Sequence, residues 1–176
     1  MYLRGEGMDY YNLYLYKYAG VDQTTGLPLF HHTVTQKDHE DDLFKDDAIG
    51  SIVNTTNYTL ATRYPMGSAI PKWIGGFTTS FQYKNFDFMA ILAYQIGGKF
   101  LSVEYANHLY RSGNIGNGLS AELIGNTWTP DNNGAKFPMT FYGDTYYTGG
   151  STHGSWQYSD MSLFSASYLN VKNLTL

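Results

Sequence analysis

The chain has 176 residues, of which 43% are apolar, 17% aromatic and 15% charged, and its formal charge is −4. That length suits a single domain of ordinary size, and 19 glycines with 5 prolines exclude collagen-like and low-complexity classes. The absence of cysteine removes disulfide scaffolds, thiolate metal sites and cysteine nucleophiles, and the acidic balance leaves no basic footprint for nucleic acid.

The longest unbroken apolar run, Phe88 to Tyr94, falls far short of the roughly 20 residues that a transmembrane helix needs. Membrane β-strands stay open, because alternation hides their apolar residues from any average of hydropathy. The amino end carries neither a basic region followed by an apolar stretch nor a small-residue cleavage site. The expectation is an intracellular protein or an interior piece of a longer one.

In chain order, Tyr10 to Tyr18 is rich in the aromatic residues that favour pleated surfaces and reads as a strand. Residues 19–74 are dense in turn formers and read as one long loop. Phe77, Thr79, Phe81 and Tyr83 then alternate with Thr78, Ser80, Gln82 and Lys84, a two-residue period that puts rings on one face and polar groups on the other. After a tight break at residues 84–87 the pattern resumes with Phe86, Phe88, Ala90, Leu92, Tyr94 and Ile96, and it stops at Gly97-Gly98. This predicts a hairpin. Its second arm is apolar on both faces in the middle, through Met89, Ile91 and Ala93. Residues 99–160 read as a second long loop. From Ser162 to Leu176 the apolar positions change phase, from Phe164, Ala166 and Tyr168 to Leu169 and Val171, then to Leu174 and Leu176, which predicts a bulge or a strand dry on both sides.

Tight turn on one side, long loops on the other, and an aromatic surplus match an outer-membrane β-barrel. The same rings suit the core of a soluble β-sandwich, and composition leaves both open. Four strands cannot close a barrel, so on the barrel reading the chain is a sector of a larger one. Counting further strands at residues 27–34, 52–62, 101–110 and 136–147 would give eight, enough for a small complete barrel.

Several stretches resemble the SusC/RagA family of TonB-dependent outer-membrane transporters. They are Tyr18-Ala19-Gly20-Val21-Asp22-Gln23-Thr24-Thr25-Gly26-Leu27-Pro28-Leu29; Ile70-Pro71-Lys72-Trp73-Ile74-Gly75-Gly76-Phe77 with Tyr83-Lys84-Asn85-Phe86-Asp87 and Tyr94-Gln95-Ile96-Gly97-Gly98-Lys99; Trp128-Thr129-Pro130-Asp131-Asn132; and Ser167 to Leu176. Each is moderately specific, and together they follow the family's order over nearly the whole chain. Asn170 departs from the family pattern, which has Arg there, and this removes one inward positive charge.

The resemblance implies an all-β fold: an antiparallel transmembrane β-barrel sector with long extracellular loops, residues 1–176 forming part of a barrel of about 22 strands. It places the plug domain, the signal peptide and the final barrel strands outside the chain. It further implies TonB-dependent import of glycan or oligopeptide across the bacterial outer membrane, with a SusD-like surface lipoprotein as partner. On that reading Thr78, Ser80, Gln82 and Lys84 face the lumen while Phe77, Phe81 and Tyr83 face lipid. The alternative function is a soluble or surface β-sandwich that binds carbohydrate.

No nucleophile elbow, dinucleotide turn, phosphate loop or His-Glu-x-x-His occurs, so neither enzyme activity nor a cofactor is expected. His31 and His32 are adjacent and point to opposite faces of an extended segment, which is poor geometry for a metal. Residues 38–47 carry a run of carboxylates that suits a hard cation or, more simply, a solvated loop. Asp131-Asn132-Asn133-Gly134 reads as a turn. Trp128, Tyr142, Tyr146, Tyr147 and Trp156 are the candidates for substrate contact, because aromatic faces stack on sugar rings; the plain alternative is that they pack the loop against its neighbours or the SusD-like lid.

Overall fold

A computed structural model describes residues 2–110, 118–139 and 158–176. Among these, the strands in chain order are β1 (Tyr2–Leu3), β2 (Asn12–Tyr16), β3 (Tyr18–Val21), β4 (Pro28–Thr33), β5 (Ile52–Thr55), β6 (Arg63–Ser68), β7 (Pro71–Tyr83), β8 (Phe86–Gly97), β9 (Lys99–Leu101), β10 (Leu163–Ser165) and β11 (Tyr168–Thr175). Two α-helices, α1 (Gln36–Glu40) and α2 (Val103–Tyr110), interrupt them. The strands group as β1-β2-β6, β3-β4-β5, β11-β8-β7 and the pair β10-β9. Each group is an open sheet, and no closed barrel forms among the described residues.

The contacts divide the chain into two compact units. The first contains Met1–Tyr14, Pro65–Phe100 and Leu163–Leu176. Its centre is the antiparallel sheet β11-β8-β7, in which β7 and β8 are joined by the two-residue turn Lys84-Asn85, with Tyr83 opposite Phe86. Two irregularities flank β8. Lys72 is an extra residue where β7 begins, and Lys172 is an extra residue between Val171, opposite Leu92, and Asn173, opposite Ile91. The second of these is the bulge that the phase change of the carboxyl segment required. A bulged residue lets the strand re-enter the ladder one step out of phase, so Leu174 pairs with Ala90 and returns to the face of Val171. At the far end of β8, Gly98 has φ +78°, and an added Cβ would lie 3.1 Å from the Ala69 carbonyl oxygen. Only glycine fits that corner.

The second unit contains Leu15–Tyr64 and Leu101–Ser162. Here β4 is the central strand, pairing Phe30 with Tyr18 on one side and with Thr55 on the other. Phe30, His32 and Val34 are buried while His31 and Thr33 are half-buried, the alternation of a strand with one dry face. A smaller apolar cluster joins Leu109, Leu123 and Phe137, with Tyr105 and Met161 against it.

The two stretches read as long loops contain much regular structure. Residues 27–34 hold β4, as the wider strand count expected, but 52–62 holds only the short β5. Of residues 101–110, Leu101 ends β9 and Val103–Tyr110 is α2, not a strand, and in the fourth of those segments Lys136 to Met139 is irregular; its remainder, 140–147, lies outside the described residues. The eight-strand count therefore fails. The helix wins because Ser102 caps it, accepting from Tyr105 N–H (3.1 Å) on its hydroxyl and from Ala106 N–H (3.2 Å) on its carbonyl. Ala106 and Leu109, three apart, share the buried side. The alternation of Leu101, Val103 and Tyr105 imitated a strand over too few residues to decide between the two periods.

Candidate functional site

Cross-strand partners in a sheet share a face, so the register assigns both faces of β11-β8-β7. One face carries Trp73 opposite Ile96, Phe77 opposite Leu92, Phe81 opposite Phe88 and Tyr83 opposite Phe86. On the other side of β8, Leu169 meets Tyr94, Val171 meets Leu92 and Leu174 meets Ala90. Apart from Thr79, opposite Ala90, that surface is apolar across all three strands. Among the described residues its side chains stay largely uncovered: Trp73 is 68% exposed, Phe77 59% and Leu169 68%. A β-sandwich would bury them. Gly75 belongs to this face as well, and the Tyr94 ring lies across it, so that an added Cβ would stand 2.6 Å from the phenol oxygen.

The opposite face carries Thr78, Ser80 and Gln82, paired with Ile91, Met89 and Asp87. From β11 it takes Tyr168, Asn170, Asn173 and Thr175, paired with Gln95, Ala93, Ile91 and Met89. Three of the four residues expected on the polar face therefore stand together. Lys84 does not: it occupies the turn with φ +53°, its ammonium 5.4 Å from the centre of the Tyr83 ring, and the ladder's polar face ends at Gln82. The reading of β7 alone missed the contribution of β11, because only the bulge at Lys172 reveals which of its residues align.

In the second unit, two motifs more than a hundred residues apart interlock. The turn after β3 is organised by Asp22, whose carboxylate accepts from Thr24 N–H (2.9 Å) and from the Thr25 hydroxyl (2.8 Å). Those two bonds, the Thr24 backbone first, hold the Asp22 carboxyl below the usual carboxylate range. Gly26 N–H donates to Asp22 O (2.8 Å), and at φ +73° the residue leaves room for the Trp128 ring, which would stand 2.5 Å from an added Cβ. The Trp128 indole N–H donates to Gln23 O (3.1 Å), and Met139 N–H donates to Gly26 O (3.0 Å). Of the five aromatic candidates for substrate contact, Trp128 is thus placed as the half-buried lock between two loops. Tyr142, Tyr146, Tyr147 and Trp156 lie outside the described residues.

His31 and His32 point to opposite faces of β4. His32, 5% exposed, donates from Nε2 to Asp38 Oδ2 (3.0 Å), and its Nδ1 meets the Thr62 hydroxyl at 3.2 Å. The series Thr62, His32, Asp38 has the composition of a nucleophile–base–acid triad. Its geometry is that of a structural relay, because Thr62 Oγ1 already accepts from Thr33 N–H (2.9 Å) and the imidazole is closed off from solvent. In the carboxylate run, Asp38 caps α1 and Asp42 pairs with Lys45. Asn132 N–H donates to Thr129 O (2.9 Å), closing a turn over residues 129–132 that overlaps the expected one at 131–134 only in part.

No family model matches the chain, and no curated protein does. Among solved structures, the RagAB peptide importer in a closed-closed state is matched over 93% of this chain at TM-score 0.64 and 25% identity. A second structure, of the RagAB peptide transporter, is matched over the same share at TM-score 0.65 and 26% identity. The fold is similar to one sector of those transporters. The chain spans 16% of the length of each RagAB chain it matches.

Proposed function

We propose that this chain is a wall sector of an outer-membrane transporter that imports oligopeptide or glycan, energised through TonB and served by a SusD-like surface lipoprotein. The observation that carries the reading is the two-faced sheet. From Trp73 to Tyr83 the strand advances about 33 Å at roughly 3.3 Å per residue. Tilted by about 40°, that length spans roughly 25 Å, the height of the apolar band of an outer-membrane barrel. The exposed rings of Phe77 and Phe81 meet acyl chains, while Thr78, Ser80 and Gln82 line an aqueous lumen.

Backbone groups at the edges of β7 and β11 need partners in hydrocarbon, and neighbouring strands of a larger barrel supply them. The role is transport without bond chemistry, and it needs no cofactor. The likeness to RagAB structures supports a transport role and a companion protein.

The chain contains no cysteine, so single cysteines report their surroundings with no background from these residues. In the full-length protein in bilayers, Thr78→Cys reacts with a membrane-impermeant maleimide and Phe77→Cys does not. Equal labelling of both, or the reverse order, would remove the proposal and favour a water-exposed sheet.

A further inference from the structure

The connection from β4 to β5 is closed at its base by two backbone bonds, Val34 N–H to Ser51 O (2.9 Å) and Gly50 N–H to Val34 O (2.8 Å). Within it, α1 has five residues, none of them buried. A helix that short does not persist in water alone, because nucleation costs more than its few hydrogen bonds return. The capping box, in which Thr35 and Asp38 bond reciprocally, organises only the first turn.

Among the described residues, the side-chain hydrogen bond and the ring contact that tie this segment to the strand beneath it both end on His32. Asp38 Oδ2 accepts from its Nε2 at 3.0 Å, and the Phe44 ring lies 5.0 Å from its own, tilted by 34°. His32 is itself fixed from behind by Thr62. Meanwhile Phe44 sits at φ +49°, a left-handed conformation that a bulky side chain keeps only where its surroundings impose it. The segment therefore has no fully buried residue, is strained at Phe44, and makes its side-chain hydrogen bond and ring contact to β4 through His32.

We propose that residues 35–47 form an order–disorder switch whose pin is His32. Docked on the imidazole, the segment holds α1; undocked, it unfolds as one piece while β4 and β5 stay paired. Elements of this low local stability are the ones from which switching segments are drawn. Because Asp41, Asp42 and Asp46 ride on the segment, the state of the pin decides where their charge is held.

Hydrogen exchange on the full-length protein in detergent tests this through three amides bonded inside the segment: Asp41 to Lys37 O, Leu43 to Asp38 O and Asp47 to Phe44 O. In the wild type these exchange at one common rate, faster than the amides that pair β4 with β5. His32→Ala and Phe44→Ala each accelerate all three by a similar factor, roughly tenfold or more for the loss of a docking contact, and leave the β4–β5 amides unchanged. Should His32→Ala fail to fold, Phe44→Ala decides alone. Unchanged rates, three unrelated rates, or equal acceleration of the β4–β5 amides overturns the switch.

Discussion

The β7–β8–β11 sheet and the loop assembly around β4 solve the same problem in opposite ways. In the sheet, order comes from backbone pairing repeated over long strands, and the side chains are left to face outward on both sides. In the loop assembly the strands are short, and order comes from single side chains that reach between segments: Trp128 over Gly26, Asp22 into its own turn, His32 onto Asp38. A ladder spreads its stability over many bonds and tolerates almost any side chain that respects its face. A lock concentrates stability in a few contacts and tolerates almost none.

Substitutions turn that contrast into measurements. On the proposed membrane placement the largest effect is expected on the apolar face of the sheet, where Phe77→Arg costs about 2–4 kcal/mol of stability in a bilayer, as a cation near the midplane of a barrel wall does. Thr78→Arg, one residue along and on the other face, changes it little. Unfolding by urea in lipid vesicles compares the two, and equal costs would erase the distinction between the faces.

Next, Gly26→Ala costs about 2–3 kcal/mol, combining the left-handed backbone penalty with displacement of the Trp128 ring. Trp128→Ala costs less, about 1–2 kcal/mol, from lost ring contact and one hydrogen bond. In the double variant the costs do not add, because the alanine methyl then occupies space that the ring has vacated. Strict additivity in denaturation of the three variants would mean that the ring and the glycine are not in contact.

The smallest effect is that of Asp22. Its pKa is lowered on folding, so its contribution is complete above the ordinary aspartate value and is lost as pH falls through the lowered one. Asp22→Asn therefore lowers the urea midpoint slightly near neutrality, and its gap to the wild type closes in acid. A gap independent of pH would show that the carboxylate charge plays no part in holding the turn.

Much of the sheet was legible in the sequence because its cause is local. A two-residue period with a two-residue turn defines the hairpin from Phe77 to Ile96, and the phase changes after Tyr168 announced the irregularity now seen at Lys172. The helices were missed for an equally local reason: Thr35 with Asp38 and Ser102 with Tyr105 are caps, and a cap is a signal of one or two residues, set against turn formers and a run of carboxylates at α1 and against an apparent alternation at α2. The candidate site was readable only in part. Thr78, Ser80 and Gln82 follow from the period of β7, whereas nothing along β7 says that Asn170, Asn173 and Thr175 complete the same face. Lys84 was carried onto that face by extending the alternation one residue into the turn.

Alternation along β7 by itself determined that this strand presents rings on one side and polar groups on the other, since side chains of a pleated chain have no other way to point. Tertiary structure alone decided the alignment of β11 with β8, the meeting of Trp128 with Gly26 and the closing of His32 against Asp38. The first two join segments far apart in the chain, and even His32 and Asp38, six positions apart, meet only because the segment after β4 folds back over it.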